Sequence, residues 1–478
     1  MNYKIITYTL GWVLKIEGFC LMLPLICGLL YREQGLQPFI ISIVLCFGVG
    51  ALLTIKSPKK KTMYAKEGFV IVALSWIVMS IFGALPFYLS GHIKSFIDAL
   101  FETVSGFTTT GASILTDVEA LPKSLIFWRS FTHWIGGMGV LVFLVAIIPL
   151  SGGANMHLIK AESPGPSVSK LVPKVKSTAK LLYTIYIFFT LAEIVLLLIG
   201  KMPLFDALTL TFGTAGTGGF GILNSGIAEY SSYVQIVITV FMFIFGVDFT
   251  FYYLILMRRL KSAFKMEEVR AYTLIVIVAT LLIVFDCRHL FASFPDALKH
   301  SAFQVSSLIT TTGYSTADFD LWPSFSKTIL VVLMFFGACA GSTGGGFKIS
   351  RILILAKSIF REIKIAAHPR ITKKITMNGR PLDHETTRNV SVYMCAYVAI
   401  LIVSVLIISL DNFDFTTNFT AAIATLNNIG PGLAQVGPTQ NFSIFSPIST
   451  VVLTLNMLIG RLEIFPILVL LSPFSWKK

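Results

Sequence analysis

Read from its first residue, the chain alternates long apolar blocks with short basic runs. Two apolar blocks, about residues 9–31 and 38–56, come first, and "KSPKKKTMYAK" follows them. From there each unit has three parts: an apolar block, a shorter semi-polar segment ending in glycine, and a second apolar block. The first unit takes about residues 68–89, 95–114 and 125–150, and the second about 181–200, 203–221 and 232–257. The third takes about 271–292, 295–316 and 325–360, and the fourth about 389–410, 414–432 and 445–472. Blocks of this kind predict membrane-crossing helices, since about 20 apolar residues span the hydrocarbon core. A basic stretch closes each unit: Lys160 to Lys180, then "RRLKSAFK", then Arg361 to Arg380, then "WKK". Lys and Arg mark cytoplasmic loops. All these runs fall on one side only if each middle segment enters and leaves by the same face. The middle segments are therefore expected to be re-entrant, with about ten full crossings around them.

The three-part unit is an internal repeat of roughly 90–100 residues. The middle segments carry it in their wording: "FIDALFETVSGFTTTG", "LFDALTLTFGTAGTGGFG", "FPDALKHSAFQVSSLITTTGY" and the more diverged "DFTTNFTAAIATLNNIGPG". Asp98, Asp206 and Asp296 each precede "AL" at the start of a short helical pattern. A carboxylate there caps free N–H groups and complements the helix dipole; Asp414 or Thr416 takes the role in the fourth copy. Each short helix is expected to run about three turns and stop at Gly111, Gly218, Gly313 or Gly430. The fold class is thus an all-α polytopic membrane protein of four tandem helix–pore-loop–helix repeats in pseudo-fourfold arrangement. Two extra transmembrane helices (1–64) precede repeats at 65–178, 179–266, 267–384 and 385–478.

Composition agrees. Of 478 residues 55% are hydrophobic and 13% charged, about half the charged share of a soluble protein. The net charge of +14 sits in runs between apolar blocks rather than on one face, which excludes a nucleic-acid partner. The six cysteines lie in or beside apolar stretches without CxxC spacing, so they act as small hydrophobes rather than disulfides or metal ligands. No Ala-x-Ala cleavage site follows the first block, which is read as a retained span despite Lys15 and Glu17. "GTAGTGGFG" and "GSTGGGFK" lack the Gly-Lys-Ser/Thr ending of a phosphate loop. His133 has no second ligand at usable spacing and is expected at a helix end. Polar groups in the spans are scattered, so an enzyme is not expected.

Irregular backbone at membrane depth must be buried or line water, because an unpaired carbonyl in hydrocarbon costs several kcal/mol. Four such segments satisfy this by surrounding one aqueous axis. Glycine lets the strand turn its carbonyls inward without a side chain narrowing the hole. Thr108–Thr110 and Thr310–Thr312 add uncharged oxygens. The short helices aim their partially negative C-terminal ends at the axis, which favours a cation. Rings of neutral oxygen that replace a hydration shell are how potassium filters work. The absence of carboxylates argues against a divalent ion. The candidate filter is Thr109, Thr110 and Gly111; Thr217, Gly218 and Gly219; Thr311, Thr312 and Gly313; and Asn428, Ile429 and Gly430.

These segments, with "HWIGGMG" at 133–139, "GACAGSTGGGFK" at 337–348, "ATLNNIGPGL" at 424–433 and "GRLEIFPILVLL" at 460–471, resemble the TrkH/KtrB superfamily of potassium uptake proteins. The two extra spans resemble the TrkH branch rather than KtrB. The resemblance implies a single-file potassium pathway in each subunit of a homodimer, in the bacterial inner membrane with both termini cytoplasmic. It implies a cytosolic regulatory partner of TrkA type that binds NAD and ATP-class nucleotides, so nucleotides act only through that partner. In related plant transporters a serine at the first filter glycine goes with sodium preference. Here that residue is Gly111, and the fourth segment departs from the pattern with Asn427 and Asn428.

The third inner block carries five glycines between residues 337 and 347. Each costs a helix about 1 kcal/mol relative to alanine, and a packing face needs small residues only at every fourth position. The resemblance implies that Gly341, Ser342, Thr343, Gly344, Gly345 and Gly346 belong to an intramembrane loop that gates the pore. Arg461 lies inside the last apolar block, where a charge faces water or a partner. Glu463, two residues on, points elsewhere on a helix. The resemblance implies that Arg461 contacts the loop and raises the barrier to cations. Lys348 either adds to that potential or reaches toward the headgroups. Channel-like flux and coupling to sodium or protons both remain open.

Overall fold

A computed structural model of the chain describes residues 1–58, 64–147, 175–369 and 374–476. Lys160, Lys170, Lys174 and Lys373, with part of the first basic run, lie outside the described residues. Among the described residues six helices are long and apolar enough to cross a bilayer, and two bent pairs raise that to eight. The first inner helix, Lys123–Ile147, and the third, split into Ser324–Phe335 and Ile349–Ala367, take two further places. Outer helices such as Val175–Ile199 leave Phe188, Leu191, Val195 and Ile199 exposed. That is expected of a surface whose solvent is lipid.

Each repeat follows one plan. An outer helix leads to a short pore helix: Phe96–Phe107, Leu204–Gly216, Phe294–Ile309 or Phe415–Leu426. A non-helical return then leads to an inner helix. Packing runs in a circle, because each inner helix lies against the pore helix of the following repeat. Lys123–Ile147 packs on Leu204–Gly216, Ser232–Gly246 on Phe294–Ile309, and Ser324–Phe335 on Phe415–Leu426. Pro447–Arg461 of the fourth repeat packs on Phe96–Phe107 of the first, which closes the ring. The N-terminal helices Tyr3–Cys20 and Gln37–Thr54 pack on each other, and the first also lies on the first outer helix, Ala65–Gly83.

Capping departs in detail from the sequence expectation. Ser95 and Ser293 are the N-caps, accepting from the amides of Asp98 (3.4 Å) and Asp296 (3.3 Å). Asp98, Asp206 and Asp296 sit in the first turn instead, where their charge still opposes the dipole. Asp414 is itself an N-cap, accepting from the Thr417 amide at 3.0 Å. Three inner helices break. The second bends by 89° between Gly246 and Phe249, and the fourth by 120° between Arg461 and Phe465. The third opens into the glycine-rich loop, whose neck is pinched by a bridge between Phe336 and Phe347. Beyond Ile349–Ala367 lies a small hairpin, Thr376–Met377 paired with Arg380–Pro381 around Asn378 and Gly379. Both turn residues have positive φ, 52° and 75°, as the tight turn of an Asn-Gly hairpin requires.

Candidate ion pathway

The four pore helices end at Phe107, Gly216, Ile309 and Leu426, directly before the four glycine-bearing segments. Their partially negative ends therefore converge where those segments meet. The backbone there has one signature in every copy. Thr109, Thr217, Thr311 and Asn428 have φ of 54°, 61° or values between, and Gly111, Gly219, Gly313 and Gly430 have φ of 76° to 99°. A β-branched residue in the left-handed region is a costly outlier, of about 1–3 kcal/mol each. Reversing the sign of φ at alternate residues turns successive carbonyls toward one side of the strand, as an ion-lining wall needs.

That signature also sets the register. Gly219, rather than Gly218, is the counterpart of Gly111, Gly313 and Gly430, so the second segment is shifted by one residue from the expected stop. Gly218 matches Thr110, Thr312 and Ile429. The signal was concealed by the adjacent glycines of "GTGGFG".

The segments touch in cyclic order. A side chain on Gly111 would strike the Gly218 carbonyl oxygen, and one on Gly219 the Thr312 oxygen. One on Gly313 would strike the Ile429 oxygen, and one on Gly430 the Thr110 oxygen. Each glycine thus abuts the main chain of the next segment, and the fourth returns to the first. All twelve candidate filter residues lie in this ring. Four of the threonine hydroxyls bond to one another, while that of Thr109 is buried with no partner among the described residues. Thr108 and Thr110 bond to each other at 2.8 Å, as do Thr310 and Thr312, and Asn428 Nδ2 donates to Thr110 Oγ1 at 3.0 Å. They brace the strand. Thr311 Oγ1 accepts from the Gly345 amide at 2.7 Å, which brings the glycine-rich loop against the third segment.

Several braces behind the ring were invisible in the sequence. Glu102 and Arg129 form a buried ion pair at 2.5 Å. Glu102 also accepts from Ser113 Oγ and the Ile114 amide, while Arg129 donates to the Gly221 carbonyl and stacks on Phe220. His133 lies inside the first inner helix rather than at its end. Its Nε2 accepts from the Phe220 amide at 3.2 Å, so the proton sits on Nδ1, which donates to the Gly106 carbonyl at 2.8 Å. Tyr314 Oη donates to the Leu210 carbonyl at 3.0 Å. No group of three metal-ligating side chains occurs among the described residues.

The loop and the last inner helix meet below the ring. Arg461 donates to the Thr343 carbonyl at 3.0 Å and to the Gly136 carbonyl at 2.7 Å. Glu463 pairs with Arg351 rather than Arg461. Lys348 is buried, and its ammonium donates to the Gly344 and Gly345 carbonyls. Gly344 lies against the Thr310 carbonyl and Gly345 against Asn427 and Asn428. The loop is also stitched into the break of the second inner helix. Cys339 N–H donates to Gly246 O (3.0 Å) and Phe249 N–H to Gly341 O (3.2 Å).

The TrkH family, described as cation transport protein, matches residues 35–478. The chain belongs to the TrkH family. It is 36% identical over 487 residues to the Trk system potassium uptake protein TrkH of Salmonella typhimurium, covering all of both chains. To the Trk system potassium uptake protein TrkG of Escherichia coli it is 32% identical, covering all of this chain and 99% of the relative. The crystal structure of the potassium transporter TrkH from Vibrio parahaemolyticus superposes with a TM-score of 0.90 at 33% identity, over the whole of both chains. The four-repeat fold of this TrkH-family chain is thus one seen by crystallography in a relative.

Proposed function

We propose that this protein carries potassium into the cell through a single-file pore that the membrane potential drives. The observation that carries the reading is the closed ring of glycine and carbonyl contacts. It offers neutral main-chain oxygens from four segments and no fixed charge, which suits a weakly hydrated monovalent cation. The names of the full-length relatives support potassium as the ion. The glycine-rich loop, Lys348 and Arg461 are the gate, placing backbone and positive charge beneath the ring.

The position of the basic runs supports a bacterial inner-membrane location with both termini cytoplasmic. The word "system" in the relatives' names supports more than one component. The further components are a second copy of the chain and a cytosolic TrkA-type subunit through which nucleotides act. The test is flux of potassium or rubidium into liposomes containing the purified chain. Uptake that follows the potential, prefers potassium over sodium and needs no second ion gradient is expected. Strict stoichiometric dependence on sodium or protons would replace the pore with a coupled carrier, and absent uptake of either ion would overturn the reading.

A further inference from the structure

Two neighbouring glutamates at the start of the third outer helix, Glu267–Cys287, connect the intramembrane loop with the surface hairpin. Glu268 is buried, and its Oε1 accepts from the Ala340 amide at 2.7 Å and the Ser350 amide at 2.9 Å. Ala340 enters the loop and Ser350 leaves it. One carboxylate therefore holds both ends, and it also satisfies a free N–H in the first turn of Ile349–Ala367, where the helix dipole favours negative charge. On the far side the Asp248 carboxylate lies against Gly341 and caps Phe249–Leu256.

Glu267 faces the other way. Its amide donates to Asn378 Oδ1 at 2.8 Å, and its Oε1 accepts from the Asn378 amide at 2.9 Å. Lys357 pairs with Glu267 and donates to the Thr376 carbonyl at 2.8 Å. The hairpin turn, two turns of Ile349–Ala367 and the start of the outer helix are thus one hydrogen-bonded body, and the adjoining residue grips the loop.

We propose that Glu267 and Glu268 form a latch through which displacement of the surface hairpin releases the loop beneath the filter. The latch rests on the reading of that loop as the gate. Asn378 and Glu267 touch no loop residue in the hydrogen bonds described, so an effect of changing them on the loop has to pass through Glu268 and Ile349–Ala367.

The experiment follows Cys339, a fully buried loop thiol, in the full chain reconstituted in liposomes. Its modification by a small methanethiosulfonate is measured peptide by peptide with mass spectrometry. Loss of charge-assisted hydrogen bonds predicts labelling about tenfold faster in Glu268→Gln, with a smaller rise in Glu267→Gln and Asn378→Ala. The two glutamate changes together should add nothing beyond Glu268→Gln, because they act in series. Wild-type labelling rates in Glu267→Gln and Asn378→Ala, both surface changes that leave the core intact, would overturn the latch. So would a parallel rise at Cys287, buried at the far end of the same outer helix, which reports general loosening. Flux separates this proposal from the gate. Arg461→Ala raising flux while the hairpin variants leave Cys339 unchanged keeps the gate and removes the latch. Faster labelling without faster flux keeps the latch and removes the gate.

Discussion

A glycine in the ring is there because of its neighbour's oxygen. At Gly111 a hydroxymethyl group has no room beside the Gly218 carbonyl, so Gly111→Ser must push that oxygen away from its position. Potassium-over-sodium permeability is expected to fall about tenfold, the equivalent of about 1.4 kcal/mol of lost discrimination; bi-ionic reversal potentials measure it, and an unchanged ratio would discard this register. The brace behind the ring makes a separate claim. Glu102→Ala leaves Arg129 buried without its carboxylate, and removing one partner of a buried pair costs about 3–5 kcal/mol. Thermal unfolding in detergent should shift down markedly, whereas a midpoint within a degree or so of wild type would mean the pair contributes little. These residues also show what was legible. The phrase Thr-Thr-Thr-Gly is a local signal, and it led to the ring. His133, Arg129 and Tyr314 act across tens of residues on segments of other repeats, and no local spacing encodes such a contact.

Among the elements, apolar block length and basic punctuation disclosed the outer helices, the re-entrant pore helices and the four-part order. Of the breaks in the inner helices, the crowded glycines of the third repeat announced one. The bend of the second is stabilised by Asp248, which caps the following helix through the Thr250 amide, and a single aspartate in an apolar block does not announce that. In the fourth, Pro466 at the start of Phe465–Leu471 was the available sign. Asn378–Gly379 was likewise an unread hairpin signal, short enough to be lost in a basic linker. The loop itself yields the prediction proper to this scale. Arg461 holds the Thr343 and Gly136 carbonyls together, so Arg461→Ala frees the loop and, on the proposed reading of it as the gate, removes a positive charge from the path. Basal rubidium flux per molecule should rise at least about tenfold, since even one hydrogen bond to a charged group is worth about 1.5–3 kcal/mol; equal or lower flux in well-folded protein would take Arg461 out of the gate.

For the whole molecule, circular packing makes one chain do what separate subunits do in a symmetric pore, and it frees each quarter to differ. Charged braces stand behind the first and second segments, while an asparagine links the fourth to the first. For the uncoupled pore proposed above, an inside-negative potential of 100 mV supplies about 2.3 kcal/mol per ion, enough for about fiftyfold accumulation of potassium. Liposomes clamped at graded potentials should approach that distribution. A plateau well beyond it would require another energy source.

The contact of Gly430 with Thr110 has a consequence for how the protein is made. A ribosome releases the repeats in order, so the opening has only three sides until the fourth quarter is threaded into the bilayer. Until that late moment the nascent polypeptide encloses no complete passage.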